Sequence, residues 1–269
     1  MLPGVALKNA FINNEGASMG LWQTLPGQNI SRILARSGVD WVMVDCEHGN
    51  IDDAAMHEAV PTIASCGVSP IVRIPSIQGW MVKRALDAGA HGVLVPLIRS
   101  VEAAKNIVRA SKFPPQGRRG FGSPFAMERF NPAPTMTEYL QKANDSLLTM
   151  VQIETWEALN VVEDIAAIPG IDVLFVGPFD LGNNLGYPIL NGVMKPELHA
   201  AIDRILAATN MAGKKCGFFA TSPEQAKEYA DRGFHMISAA LDASLLQTSL
   251  GRSLSIARGQ EAPKVGGTY

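Results

Sequence analysis

The chain has 269 residues, of which 47% are apolar and 18% charged, with a formal net charge of −2. This composition excludes a disordered chain, and the near-neutral charge gives no electrostatic footprint for nucleic acid or an anionic membrane. No apolar run reaches the ~18 residues of a membrane span.

Residues 1–14 lack the basic start and apolar core of a secretory signal. Cys46, Cys66 and Cys216 are an odd set without metal-type spacing. They are expected to be buried, reduced thiols of an intracellular, cytoplasmic protein.

Strand-like and helix-like segments alternate along the chain. Apolar runs of strand length fall at 19–24, 41–45, 69–74, 92–97, 148–153, 173–176, 215–219 and 236–240. Amphipathic stretches lie between them, among them 52–64, 101–111, 157–167, 196–212, 223–232 and 243–258. Ser100-Val101-Glu102 and Ser222-Pro223-Glu224 each set a capping side chain before an early acid, a helix start.

Eight such runs, each followed by a helix, match a single-domain α/β fold, the (β/α)8 TIM barrel, over residues 1–258 with a short N-terminal extension. The runs lack strict alternation, as strands covered on both faces do. A doubly wound open sheet is the alternative. Where it would place a glycine-rich phosphate turn, this chain has Trp22-Gln23-Thr24-Leu25-Pro26-Gly27. Residues 259–269 are polar and glycine-rich and read as a disordered tail.

One connection, 112–136, is long, irregular and rich in proline and glycine. Irregular connections beyond ~12–15 residues are uncommon in compact domains and often functional. The segment is expected to line the active-site mouth, with Ser123 near the substrate. A plain surface loop is the alternative.

Barrel enzymes carry their chemistry at the C-terminal ends of the strands. Those positions hold Asp45-Cys46-Glu47-His48-Gly49, Val72-Arg73-Ile74-Pro75, Gln152-Ile153-Glu154 and Gly177-Pro178-Phe179-Asp180. Glu154 and Asp180 are one βα unit apart, and adjacent strands lie ~4.8 Å apart, so both can reach one ion. Either acid alone reads as a helix cap or salt bridge; the pair at equivalent places reads as a metal seat. Two carboxylates leave positions for water or substrate, which suits Mg²⁺, Mn²⁺ or Co²⁺ better than tetrahedral zinc.

Arg73 on an apolar strand is suited to an oxyanion or enolate, or to a local carboxylate, or to both. His48 alone among the five histidines stands at a strand C-terminus, and it is the general base or acid. His57, His91, His199 and His235 read as structural. Together these groups suit enolate formation from a 2-oxo acid: a cation polarises the carbonyl, Arg73 adds charge at the same oxygen, and His48 moves the proton. No lysine stands at these strand ends, which argues against a Schiff base.

These motifs, with Gly20-Leu21-Trp22, Val95-Pro96-Leu97 and Gly117-Arg118-Arg119-Gly120, resemble the HpcH/HpaI aldolases, class II metal-dependent pyruvate aldolases. The resemblance runs from about Met19 to Gly251. It implies a (β/α)8 barrel, a hexamer, and a last helix exchanged between subunits. It implies metal binding by Glu154 and Asp180, and 2-oxo acid contacts by Gln152 and the backbone at Phe179. It makes His48 the proton acceptor and Arg73 the transition-state stabiliser.

It also implies that Asp87 raises the basicity of the histidine. The element order puts Asp87 before the fourth strand, from where it reaches a site only across a subunit contact. Phe179 and Phe218-Phe219 make the pocket more aromatic, Trp22 is expected to contact substrate, and Trp22, Phe125, Tyr187 and Phe219 are the aromatic groups that can border the acceptor.

The expected reaction is retro-aldol cleavage of a 4-hydroxy-2-oxo acid to pyruvate and an aldehyde. The alternative is oxaloacetate decarboxylation or C–C bond formation of the macrophomate synthase kind. A barrel that had become a scaffold would show damage to His48, Arg73, Glu154 or Asp180, and all four are intact. A phosphate-binding isomerase would need a glycine-rich loop that Phe219-Ala220-Thr221 and Leu241-Asp242-Ala243 do not supply.

Overall fold

The apolar runs become parallel strands β1 (Ser18–Gln23), β2 (Trp41–Asp45), β3 (Ser69–Arg73), β4 (Gly92–Val95), β5 (Leu148–Ile153), β6 (Val173–Val176), β7 (Lys215–Phe219) and β8 (Met236–Leu241) in a computed structural model. They pair in sequence order, and β8 returns to β1, so the sheet closes into a (β/α)8 barrel. The structure describes residues 1–13 and 16–260, so the expected tail lies outside the described residues from 261 onward.

Alternate residues of each strand face inward. Trp22, Trp41, Met43, Ile71, Met150 and Phe175 belong to the cluster that fills the barrel. The intervening residues, such as Val42, Val72 and Val151, pack outward against the helices. That double covering explains the unbroken apolar runs.

The interior is packed by matching large residues to glycines across the register. Gly20 pairs with Trp41, and Phe175 with Gly217. A Cβ on Gly20 would stand 2.1 Å from the Trp41 ring, and one on Gly217 would stand 2.3 Å from Phe175. Gly20→Ala is therefore expected to destabilise the chain by about 1–3 kcal/mol through overpacking. Urea denaturation checks this as a lower midpoint with unchanged slope.

The N-terminal extension forms a helix, Ala6–Asn13, that closes the lower end of the barrel. Leu7 joins the interior cluster, its N–H donates to Ser69 Oγ at 3.0 Å, and Lys8 pairs with Asp172 at 2.9 Å. Ser100 and Ser222 cap their helices as expected, accepting from the N–H groups of Ala103 and Gln225.

Several expectations change. β4 stops at Val95, because Pro96 has no N–H to donate and Leu97 turns to φ 51°. The helix expected over 157–167 is two short ones, Trp156–Asn160 and Val162–Ala166, with Val161 between them outside helical geometry.

The segment 112–136 does not line the mouth. It follows a helix rather than a strand, so it lies at the N-terminal end of the barrel. There Arg119 Nη2 donates to Asp87 Oδ1 at 2.9 Å, and Phe113 packs edge-on against Tyr139 and Phe121.

The cysteines are all unpaired, but only Cys216 is fully buried; Cys46 and Cys66 are half-buried. Burial, helped by Asp45, pushes the Cys46 thiol up to about 12, so it is not a nucleophile at neutral pH. Among the described residues, no helix is long and apolar enough to cross a membrane.

Candidate active site

A cavity of ≈ 580 Å³ opens at the C-terminal ends of the strands. Its walls include Trp22, Asp45, His48, Arg73, Gln152, Glu154, Phe179 and Asp180, so one site gathers these groups from β1, β2, β3, β5 and the turn after β6. Thr24, Phe219 and Leu241 complete the rim, with Ser244 and Gln247 from the last helix, Asp242–Ala257.

Asp45 ends β2 pointing inward and is almost fully buried. It takes Arg73 in a bidentate pair, Nε to Oδ1 at 2.8 Å and Nη2 to Oδ2 at 2.7 Å. Asp45 Oδ1 also accepts from the N–H groups of Glu47 at 3.1 Å and His48 at 3.3 Å, folding the chain back over the strand end. Gly49 completes the turn, since a Cβ there would meet the Asp45 carbonyl at 2.3 Å.

The turn leaves the His48 side chain 65% exposed at the rim, with Nε2 3.8 Å from Glu47 Oε2. Glu47 Oε2 also lies 3.2 Å from Arg73 Nε. Burial opposes the Arg73 charge, but the bond to Asp45 together with the charges of Asp45, Glu47 and Glu154 outweighs it and raises the pKa, so the guanidinium stays cationic. Its carbon sits 4.3 Å from the centre of the Trp22 ring, which walls it on one side. Nη1 is the donor not bound to Asp45, and Gln152 Oε1 lies 3.4 Å from it.

Glu154 follows β5 and is 2% exposed. Its Oε1 accepts from Leu97 N at 2.7 Å, and its Oε2 from Gln152 Nε2 at 2.7 Å. A Cβ on Gly177 would stand 2.3 Å from that Oε2, so the glycine is what lets the carboxylate lie against the turn after β6. Burial pushes the Glu154 carboxyl up to about 7, and the nearby Asp180 and Glu47 charges push the same way. Asp180 stands exposed in the first turn of helix Pro178–Leu185.

Asp45 and Glu47 were not singled out from the sequence. The signal was present, because a buried arginine on a strand demands a carboxylate partner, and the pentapeptide 45–49 holds two. Asp87 and Ser123 are not in the cavity. They meet each other at the opposite end, where Ser123 Oγ donates to the Asp87 carbonyl oxygen at 2.6 Å. Within one chain neither reaches His48. His91 is buried between Ser69 Oγ and the Arg129 carbonyl, and burial lowers its pKa to about 4, so it is a neutral structural residue.

Among the described residues, neither Glu154 nor Asp180 forms an ion pair, although both face the same cavity as Arg73. No group of three or more His, Cys, Asp or Glu side chains there is arranged to enclose a metal ion. Two hard oxygen donors with no direct ion-pair partner among the described residues nevertheless fit a divalent cation that draws its remaining ligands from water or substrate.

Charged groups converging on the strand ends of a closed parallel barrel define an enzyme of the (β/α)8 class. The family model "HpcH/HpaI aldolase/citrate lyase" matches residues 18–248, and the chain belongs to that family of carbon–carbon lyases. It is 36% identical over 245 residues to a hydroxypyruvate/pyruvate aldolase of Paraburkholderia phytofirmans, covering 89% of this chain and 92% of that protein.

Among solved structures, it superposes on an HpcH/HpaI aldolase/citrate lyase family protein of Burkholderia cenocepacia with a TM-score of 0.85 at 34% identity, covering 94% of this chain and 98% of that one. Macrophomate synthase superposes with a TM-score of 0.83 at 26% identity, covering 96% and 89%.

Proposed function

We propose that the chain is a divalent-metal-dependent lyase that cleaves a 4-hydroxy-2-oxo acid to pyruvate and an aldehyde. The observation that carries this reading is the convergence of Arg73 with two carboxylates that form no direct ion pair among the described residues. Glu154 and Asp180 would hold the cation, with Mg²⁺, Mn²⁺ and Co²⁺ as the candidates. When bound, it supplies Lewis-acid charge at the 2-oxo group.

The chain's own groups do the rest. Gln152 and the backbone at Phe179 orient the 2-oxo acid. His48 accepts the proton of the 4-hydroxyl as the C3–C4 bond breaks, and its exposed position at the rim suits exchange with solvent. The bond electrons pass to the oxygen on C2, where Arg73 Nη1 faces the developing negative charge. Protonation of C3 then yields pyruvate. Trp22, Phe179 and Phe219 border the aldehyde.

The reading also includes a cytoplasmic homo-oligomer, a hexamer, in which the last helix packs on a second copy. Only Asp242 of that helix is buried, and Leu245, Leu246, Leu250 and Leu254 are each about half exposed. Asp87 and Ser123 would act only through such a contact.

Pyruvate release, coupled to lactate dehydrogenase, tests the reaction against a panel of 4-hydroxy-2-oxo acids and oxaloacetate. Higher kcat/KM on a hydroxy-oxo acid supports the aldolase. Faster turnover of oxaloacetate than of every panel member reverses the assignment in favour of decarboxylation.

A further inference from the structure

The Glu154 carboxylate is held by the backbone of a residue in an unusual conformation. Leu97 has φ 51°, the left-handed region that L residues other than Asn and Asp rarely adopt. Its N–H donates to Glu154 Oε1 at 2.7 Å. Its side chain is 41% exposed, so packing of the leucine does not explain the strained backbone.

The neighbouring residues supply the explanation. Pro96 precedes Leu97 and ends β4. Ile98 follows it, buried, and its carbonyl accepts from Thr155 Oγ1 at 2.8 Å. Thr155 is the residue after Glu154, so the loop after β4 is stapled to the loop after β5. Between these two fixed points the chain turns left-handed, and the turn aims one N–H at one carboxylate oxygen.

We propose that Leu97 is a positioning residue: its left-handed backbone sets the orientation in which Glu154 meets the cation. Gln152 holds the other oxygen at 2.7 Å, and Gly177 clears the space beside it. A carboxylate held on both oxygens has its plane fixed and keeps a free lone-pair site on each oxygen, so the directions it offers are set before the cation arrives. This inference rests on the reading of Glu154 as a metal ligand.

Two substitutions separate backbone from side chain. Leu97→Gly keeps the N–H and favours positive φ. Leu97→Val keeps an apolar side chain, but its β-branch disfavours the left-handed region. The first readout is the residue-97 N to Glu154 Oε1 distance in metal-free crystals. Leu97→Gly should keep the wild-type 2.7 Å, and Leu97→Val should exceed the ~3.5 Å limit of a hydrogen bond.

The second readout is Mn²⁺ affinity by calorimetry. Leu97→Gly should match wild type, whereas Leu97→Val should bind about 10-fold or more weakly, as when other outer partners of metal ligands are lost. Loss of affinity in Leu97→Gly, or wild-type distance and affinity in Leu97→Val, overturns the proposal. The crystallographic readout needs no metal, so it decides the positioning role by itself. A wild-type protein that binds no Mn²⁺ counts against the proposed function instead.

Discussion

Glu154→Gln is expected to lower metal-dependent turnover by about 10³-fold or more while the barrel stays folded. A cation at a developing oxyanion supplies several kcal/mol, and each ~1.36 kcal/mol is tenfold in rate. The amide keeps an acceptor for Leu97 N–H but loses the charge that would fix the proposed ion.

The same variant has a stability signature with a defined sign. Burial has pushed the Glu154 carboxyl up to about 7 from an ordinary 4.5. Between those values the folded chain holds a proton that the unfolded chain has released. The stabilisation is therefore complete below about pH 4.5 and is lost as pH rises through about 7.

Fully expressed, the loss amounts to about 3 kcal/mol. Metal-free Glu154→Gln carries no such titration, so at pH 8 it should melt on the order of 5 °C above the metal-free wild type. At pH 5 the two should nearly coincide. Saturating Mn²⁺ should raise the wild-type midpoint and not that of the variant. Thermal melts across this pH range check all three outcomes, and parallel curves for the two proteins would contradict them.

Arg73→Ala is expected to damage both folding and chemistry. It removes the partner of Asp45, which is 1% exposed, and an uncompensated buried charge costs about 3–5 kcal/mol. It would also take away the donor proposed for the oxygen on C2, a loss of about 10²–10³ in kcat. Arg73→Lys separates the two effects. Its ammonium can answer Asp45 with a charge, but it cannot bind both carboxylate oxygens and present a third donor to the substrate.

Lysine should therefore recover most of the denaturation midpoint and little of the turnover. Urea curves and kcat at saturating substrate provide the comparison. Full recovery of kcat by lysine would show that the fork geometry is unimportant.

The strand ends were legible in the sequence because each follows an apolar run with a charged or amide side chain. Arg73, Gln152, Glu154 and Asp180 stand out for that reason, and parallel strands bring their C-terminal ends to one mouth. The Asp45–Arg73 pair was half legible. The arginine stood out, but its partner lies 28 residues earlier, joined to it only by the register that sets Asp45 beside Arg73.

Segment 112–136 was misplaced for a different reason. Its length and its glycines signalled importance, but the end of the barrel it occupies follows from element order: a helix-to-strand connection lies at the N-terminal end. The bend at Leu97 was not legible at all. Nothing in Val95-Pro96-Leu97 marks a leucine for positive φ; the staple from Thr155 and the carboxylate of Glu154 impose it.

The central claim is that this cavity generates the enolate of pyruvate with a divalent cation at Glu154 and Asp180. Exchange of the pyruvate methyl protons with D₂O, followed by proton NMR with Mg²⁺ present, tests it without knowledge of the aldehyde. The account predicts loss of the methyl signal that stops on chelation, resumes when Mg²⁺ is restored, and is absent in Glu154→Ala. Exchange that persists in chelator, or at the wild-type rate in Glu154→Ala, would contradict it.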